Sequence, residues 1–237
     1  MRGAGRPLDL SLYLVADVAS CAAAGVAATV GAAVRGGVGA VQLRDPHASG
    51  RQLYELAVEL VAQLAGSPAA FFVDDRLDVA RAAGADGVHL GQHDLPAEAA
   101  RAAAGPDLLI GWSVTDPDEA AAAGRFPEGT LDYLGVGPVF PTTTKRDAAA
   151  PIGVAGLAAI CHSSALPCIA IGGIDVATVG PVLEAGASGI AVVAAICGAP
   201  DPRAASLRLR AEIDGVRARR QCRGREADAF TRSRPER

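Results

Sequence analysis

YLGVGPVFPTTTKRD, residues 133–147, joins an apolar run to a polar loop, and the fold follows from how often that junction recurs. Residues 133–139 read as a short buried strand that leads into a turn marked by Pro138 and Pro141. Thr142, Thr143 and Thr144 follow, then Lys145 and Arg146. Hydroxyls, backbone amides and two cations in one loop after a strand suit an anion, most simply a phosphate. Thr-Lys-Arg alone would pass for an ordinary strand-to-helix loop. However, Lys145 is the only lysine in a chain that otherwise uses arginine, which points to a need for a compact ammonium there. The G-x-x-x-x-G-K-[ST] order of a P-loop is absent.

A helix around residues 154–161 completes this unit, and the same alternation extends in both directions. Upstream, strands are expected at 11–17, 40–45, 70–75, 87–91 and 108–114; downstream, at 167–173 and 189–196. The expected helices begin with 21–35, stopped by Gly36 and Gly37. The next is capped by Ser49 and runs to Leu64, with Leu53, Leu56, Leu60 and Leu64 on one face. A short helix ends at Ala83, others lie near 96–104, 117–123 and 176–185, and the last runs to about Asp214. Near-continuous apolar strands between helices mean a parallel sheet covered by helices. Eight such units predict an α/β fold, a closed (β/α)8 TIM barrel in a single domain. An open doubly wound sheet is the alternative, but it would want an early G-x-G-x-x-G, and none is present.

Half of the 237 residues are apolar, enough for a sizeable core, and no apolar run reaches membrane-spanning length. The first residues carry no signal-peptide pattern, so a cytoplasmic location is expected. Cys21, Cys161, Cys168, Cys197 and Cys222 are odd in number and lack a C-x-x-C pair, so reduced thiols are expected. Residues 215–237 hold eight arginines against Glu226, Asp228 and Glu236, with little apolar content. They are expected to form a disordered tail, residues 1–10 an N-terminal extension, and residues 11–214 the catalytic barrel.

In such a barrel the chemistry gathers where strands end. Gln42, Arg44 and Asp45 close the second strand; Asp74, Asp75 and Arg76 close the third. Gln92, His93 and Asp94 follow the fourth, and Ser113 and Thr115 end the fifth. Gly172 and Gly173 close the seventh, and Val193 and Ala194 lie in the eighth. Any one of these polar residues could simply cap a helix. As a set, Asp75 and Asp94 from adjacent strands could meet on a hard cation such as Mg2+, with Arg44 and Lys145 beside them. Glycines after strand seven and backbone after strand eight suit a second phosphate. His89 and His93 have the spacing of zinc ligands on a helix, but His89 lies in a strand, so a structural role is expected. Trp112 is expected to pack near the barrel mouth.

VQLRD (41–45), VDDRLDVARAAGADGVHLGQHDLP (73–96), IGWSVTDPDEA (110–120), GVGPVFPTTTK (135–145), IAIGGID (169–175) and GIAVVAAI (189–196) together resemble the thiamine-phosphate synthase family over roughly residues 11–213. The resemblance implies the same barrel and a Mg2+-dependent transferase. Its substrates would be hydroxymethylpyrimidine diphosphate and a thiazole phosphate, its products thiamine phosphate and pyrophosphate. It further implies that Asp75 and Asp94 bind Mg2+, and that Gln42 and Arg44 hold the diphosphate with Lys145 beside them. Ser113 would meet the pyrimidine. Thr142 and Thr144, with amides at Gly173, Val193 and Ala194, would hold the thiazole phosphate. Asp74 joins the substrate-binding set, and Arg44, Ser113 and Lys145 are the candidate catalytic groups.

The chain departs from the usual family pattern at Pro46 (commonly Lys), Asp74 (Asn), Thr115 (His) and Ala194 (Ser). Asp74 brings an extra carboxylate to the diphosphate site; help in holding Mg2+ would offset its repulsion. The alternatives are an isomerase of the thiazole-tautomerase type, which wants a general-base His near Thr115, and a non-catalytic barrel that binds phosphorylated metabolites. The expected partners are small molecules, with neither nucleic acid nor membrane, and a homodimer is the default assembly.

Overall fold

The computed structural model describes residues 8–21, 24–144 and 149–232, with side chains described through Cys222. Eight parallel strands close into a barrel in sequence order: β1 (Leu12–Asp17), β2 (Ala40–Arg44), β3 (Ala70–Asp74), β4 (Gly87–Leu90), β5 (Leu109–Val114), β6 (Tyr133–Val136), β7 (Cys168–Ile171) and β8 (Gly189–Val192). The helices between them are α1 (Val26–Arg35), α2 (Gly50–Leu64), α3 (Leu77–Ala83), α4 (Ala97–Ala104), α5 (Pro117–Ala123), α6 (Gly153–Ser163) and α7 (Val179–Glu184); α8 (Ala194–Cys197) and α9 (Pro202–Arg232) follow β8. Among the described residues no helix is long and apolar enough to cross a membrane.

Period-two alternation divides each strand between two apolar regions. Leu14, Val41, Val73, Val88, Ile110, Leu134, Ala170 and Ile190 face the helices and form the larger core with them. Tyr13, Val15, Ala40, Ala70, Phe72, Tyr133, Ile169 and Ala191 form the smaller cluster inside the barrel. There the rings of Tyr13, Phe72 and Tyr133 stand 5.5 to 6.0 Å apart. Glycines make the room: a Cβ at Gly87 would strike the Phe72 ring, and one at Gly111 would strike both Tyr133 and His89. Trp112 corrects an expectation. It follows Gly111 and so points the other way, packing edge-on to Phe126 at 6.3 Å under the helices instead of at the barrel mouth.

The caps read from sequence hold. Ser49 and Gln52 form a reciprocal capping box on α2, and Gly36 ends α1. Several boundaries move by one to three residues, as where β6 ends at Val136 and α7 begins at Val179, and three shifts change what a segment does. The first helix starts at Val26 instead of residue 21, because Cys21 still belongs to the turn bonded back to Asp17. The eighth strand stops at Val192 and turns into α8, so Val193 and Ala194 form a helix start instead of strand. The last helix does not end at Asp214. It runs to Arg232, and Leu209, Ile213 and Val216 keep one buried stripe going past that point. Arg217 reaches Ser11 and the Ser188 carbonyl, and Arg220 the Leu183 carbonyl at 3.0 Å. Two of the eight arginines in the expected tail, Arg217 and Arg220, therefore anchor the start of this segment to the bottom of the barrel.

Candidate active site

Arg44 ends β2 beside Asp17, which ends β1 in the paired register. Its Nη1 donates to Asp17 Oδ2 at 2.7 Å, and its Nε lies 3.2 Å from Asp74 Oδ2. Asp17 Oδ1 in turn accepts from the Ser20 amide and hydroxyl at 2.9 and 2.8 Å. Asp17 was missed from sequence, although the rule that polar residues gather at strand ends applies to β1 as to the others.

Asp75 follows β3 with φ +59°, the one non-glycine in the left-handed region among the described residues. That conformation is costly for a side chain with a Cβ and tends to mark a functional position. Its amide donates to the His89 carbonyl at 2.8 Å, which brings it against the end of β4. Asp94 folds back onto the same end, its Oδ2 accepting from the Gly91 amide at 2.7 Å. The two carboxylate residues are thus held by backbone two residues apart.

Below this rim a hydrogen-bonded chain crosses the barrel. Gln42 Nε2 donates to the Tyr13 hydroxyl at 3.4 Å, and Tyr13 and Tyr133 share a 3.0 Å bond. Tyr133 meets His89 Nδ1 at 3.0 Å, and His89 Nε2 meets Ser113 Oγ at 2.9 Å. Burial raises the pKa of both phenols, so both stay protonated and can donate. Gln42 thus lies with the rings, a layer below Arg44. His89 bridges Tyr133 and Ser113, so the neighbour it orients is Ser113. Sequence gave no signal that Tyr13 and Tyr133 would meet, because they lie 120 positions apart.

On the opposite side the loop after β6 leans on the end of β7. Val139 and Phe140 donate to the carbonyls of Ile171 and Gly172 at 2.8 and 3.0 Å. Gly172 and Gly173, with φ +99° and +64°, have no room for a Cβ against Pro138, Phe140 and Pro141. Thr142 and Thr144 are half-buried, and the Thr144 amide donates to Thr142 Oγ1 at 3.3 Å. Gly173 and the threonine loop are therefore neighbours, whereas Lys145 and Arg146 lie outside the described residues. The amide and hydroxyl of Thr115 both donate to Glu119, at 2.6 and 2.9 Å.

Glycine backbone beside the half-buried hydroxyls of Thr142 and Thr144, and a guanidinium held at the end of β2, are groups that can bind anions. Comparisons with known proteins point to one family. The family model described as thiamine monophosphate synthase matches residues 12–196. A thiamine-phosphate synthase of Azorhizobium caulinodans is 47% identical over 211 residues, covering 89% of this chain and 98% of that one. One from Xanthobacter autotrophicus is 49% identical over 212 residues, covering 90% and 99%. The solved structure of a thiamine phosphate pyrophosphorylase from Pyrococcus furiosus superposes with a TM-score of 0.79 at 41% identity, covering 87% of this chain and 96% of that one.

Proposed function

The chain belongs to the thiamine-phosphate synthase family, a family of transferases, and from that premise we propose how its own residues carry out the reaction. The substrates are hydroxymethylpyrimidine diphosphate and a thiazole phosphate. The exocyclic carbon of the pyrimidine loses pyrophosphate and bonds to the thiazole nitrogen, giving thiamine phosphate.

Arg44 binds the diphosphate at the rim, with Lys145 from the loop after β6, and both stabilise the charge that builds on the leaving group. Asp75 and Asp94 would hold the Mg2+, whose charge neutralises the departing pyrophosphate when bound. Two carboxylates completed by phosphate oxygens are a donor set that this ion accepts. Among the described residues no three His, Cys, Asp or Glu side chains gather to hold a metal by themselves. Asp74, paired with Arg44, contributes to the substrate site through that arginine.

Ser113, oriented by His89, meets the pyrimidine ring; Gln42, expected on the diphosphate, is bonded to the Tyr13 hydroxyl a layer below Arg44 and is reassigned to the border of that ring. Thr142 and Thr144, with the amides of Gly173, Val193 and Ala194, bind the thiazole phosphate and so hold the attacking nitrogen in line. No side-chain nucleophile is required.

The observation that carries this reading is the convergence at one end of the barrel. The Asp75 amide and the Asp94 carboxylate are both bonded to backbone at the end of β4, and the threonine loop abuts Gly173. The isomerase alternative wants a base at position 115, where a threonine is engaged with Glu119 instead. The test is to incubate the purified protein with both substrates, with and without Mg2+, and measure pyrophosphate. Metal-dependent release that requires both substrates is expected; binding without release would leave only a phosphometabolite-binding barrel.

A further inference from the structure

We propose that Asp17 is a positioning residue for the diphosphate: with Asp74 it clamps the Arg44 guanidinium and leaves Nη2 to serve the anion. The inference rests on the reading that Arg44 holds that diphosphate. Asp17 is 5% exposed, and both of its oxygens are engaged. Oδ1 takes the amide and hydroxyl of Ser20, and Oδ2 takes Arg44 Nη1. The backbone is tied as well, because the Val18 amide donates to the Arg44 carbonyl at 3.0 Å. Asp74 meets the same guanidinium at Nε.

A guanidinium is planar and its donors form a rigid fork. Holding Nη1 from β1 and Nε from β3 fixes the plane, and with it the place of Nη2, which enters neither contact. An unclamped arginine would lose side-chain freedom on meeting its ligand, whereas this one is ordered beforehand. The clamp also accounts for the unusual carboxylate at position 74. Paired with Arg44, it is a partner of the binding cation before it is a repulsive neighbour of the diphosphate.

The test is a double-mutant cycle on the full chain. Calorimetry measures binding of inorganic pyrophosphate with Mg2+ to the wild type, Asp17→Asn, Arg44→Gln and the double variant. Asp17→Asn is expected to weaken binding about tenfold, the lower end of what a hydrogen bond to a charged group contributes. The double variant should bind no worse than Arg44→Gln alone, because Asp17 acts only through Arg44. In turnover, KM for the pyrimidine diphosphate should rise with the binding constant, while KM for the thiazole phosphate changes less than about twofold. Additive losses, a joint rise of both KM values, or a wild type that does not bind pyrophosphate would each overturn the proposal. Should Asp17→Asn lose its cooperative melt, Asp74→Asn replaces it in the same cycle, with the same expectation and the same overturning result. If the wild type bound pyrophosphate but released none from the two substrates, the synthase reading would fall, and the binding cycle would still decide the clamp.

Discussion

Asp75 shows how one residue can trade stability for chemistry. Its φ of +59° is one that Asn adopts about as readily and most other residues resist. Asp75→Asn should therefore keep the free energy of unfolding within about 1 kcal/mol of the wild type, since the strain is unchanged. The same variant should lose on the order of a hundredfold or more in kcat/KM, because a carboxylate proposed to hold Mg2+ is gone. Thermal melts alongside pyrophosphate release separate the two effects, and a large loss of stability would contradict this account of the backbone. Gly111 marks the opposite constraint. A methyl group there meets the Tyr133 and His89 rings inside a packed barrel, so Gly111→Ala should cost about 1–3 kcal/mol by chemical denaturation. It should also weaken pyrimidine binding, because His89 orients Ser113. The carboxylates at 75 and 94 could be read from the motif. The left-handed turn that presents Asp75, and the arginine that occupies Asp74, could not, because both depend on neighbouring strands.

At the scale of elements, α2 carries a capping box built from Ser49 and Gln52, legible in the sequence because capping is local. Ser49→Ala should destabilise the fold by about 1 kcal/mol and leave turnover unchanged, as measured by urea unfolding and steady-state kinetics. The stretch after β8 read wrongly for a matching reason. Its apolar run, GIAVVAAI at 189–196, suits strand and buried helix equally, and composition cannot separate them when a run is short. Barrel closure decides: β8 pairs with β1 only over Leu12–Leu14, after which the chain is free to turn into α8.

For the whole molecule, two consequences follow from how the barrel is filled and closed. The Tyr13 and Tyr133 phenols are buried and share a hydrogen bond, and burial raises both pKa values in the folded state. Below the unfolded tyrosine pKa of about 10, both states carry these protons and stability is at its full value. Above it the unfolded chain releases protons that the folded chain keeps, so stability falls as pH rises through that point. The urea midpoint should drop between about pH 9.5 and 11, and the Tyr13→Phe, Tyr133→Phe double variant should show a flatter profile. Truncation tests the closing helix. Ending the chain after Asp214 removes Val216, Arg217 and Arg220, and should lower the thermal midpoint by several degrees, the shift that a loss of about 2 kcal/mol produces at this size. Ending it after Cys222 keeps all three residues and should cost far less.

Patterns carried by neighbours along the chain were settled by sequence alone: eight strand–helix units, their caps, and the blocks at 73–96 and 135–145 that identify the family. Hydrophobic period, turn chemistry and motif spacing act over a few residues, so they can be read without a fold. Tertiary structure alone decided which side chains share a space. It paired Asp17 with Arg44, joined Tyr13 to His89 through Tyr133, turned Trp112 outward and gave the arginines after Asp214 carbonyls to hold. Those contacts span strands or opposite ends of the chain, and their partners are fixed by strand register and barrel closure, which no local run of residues encodes.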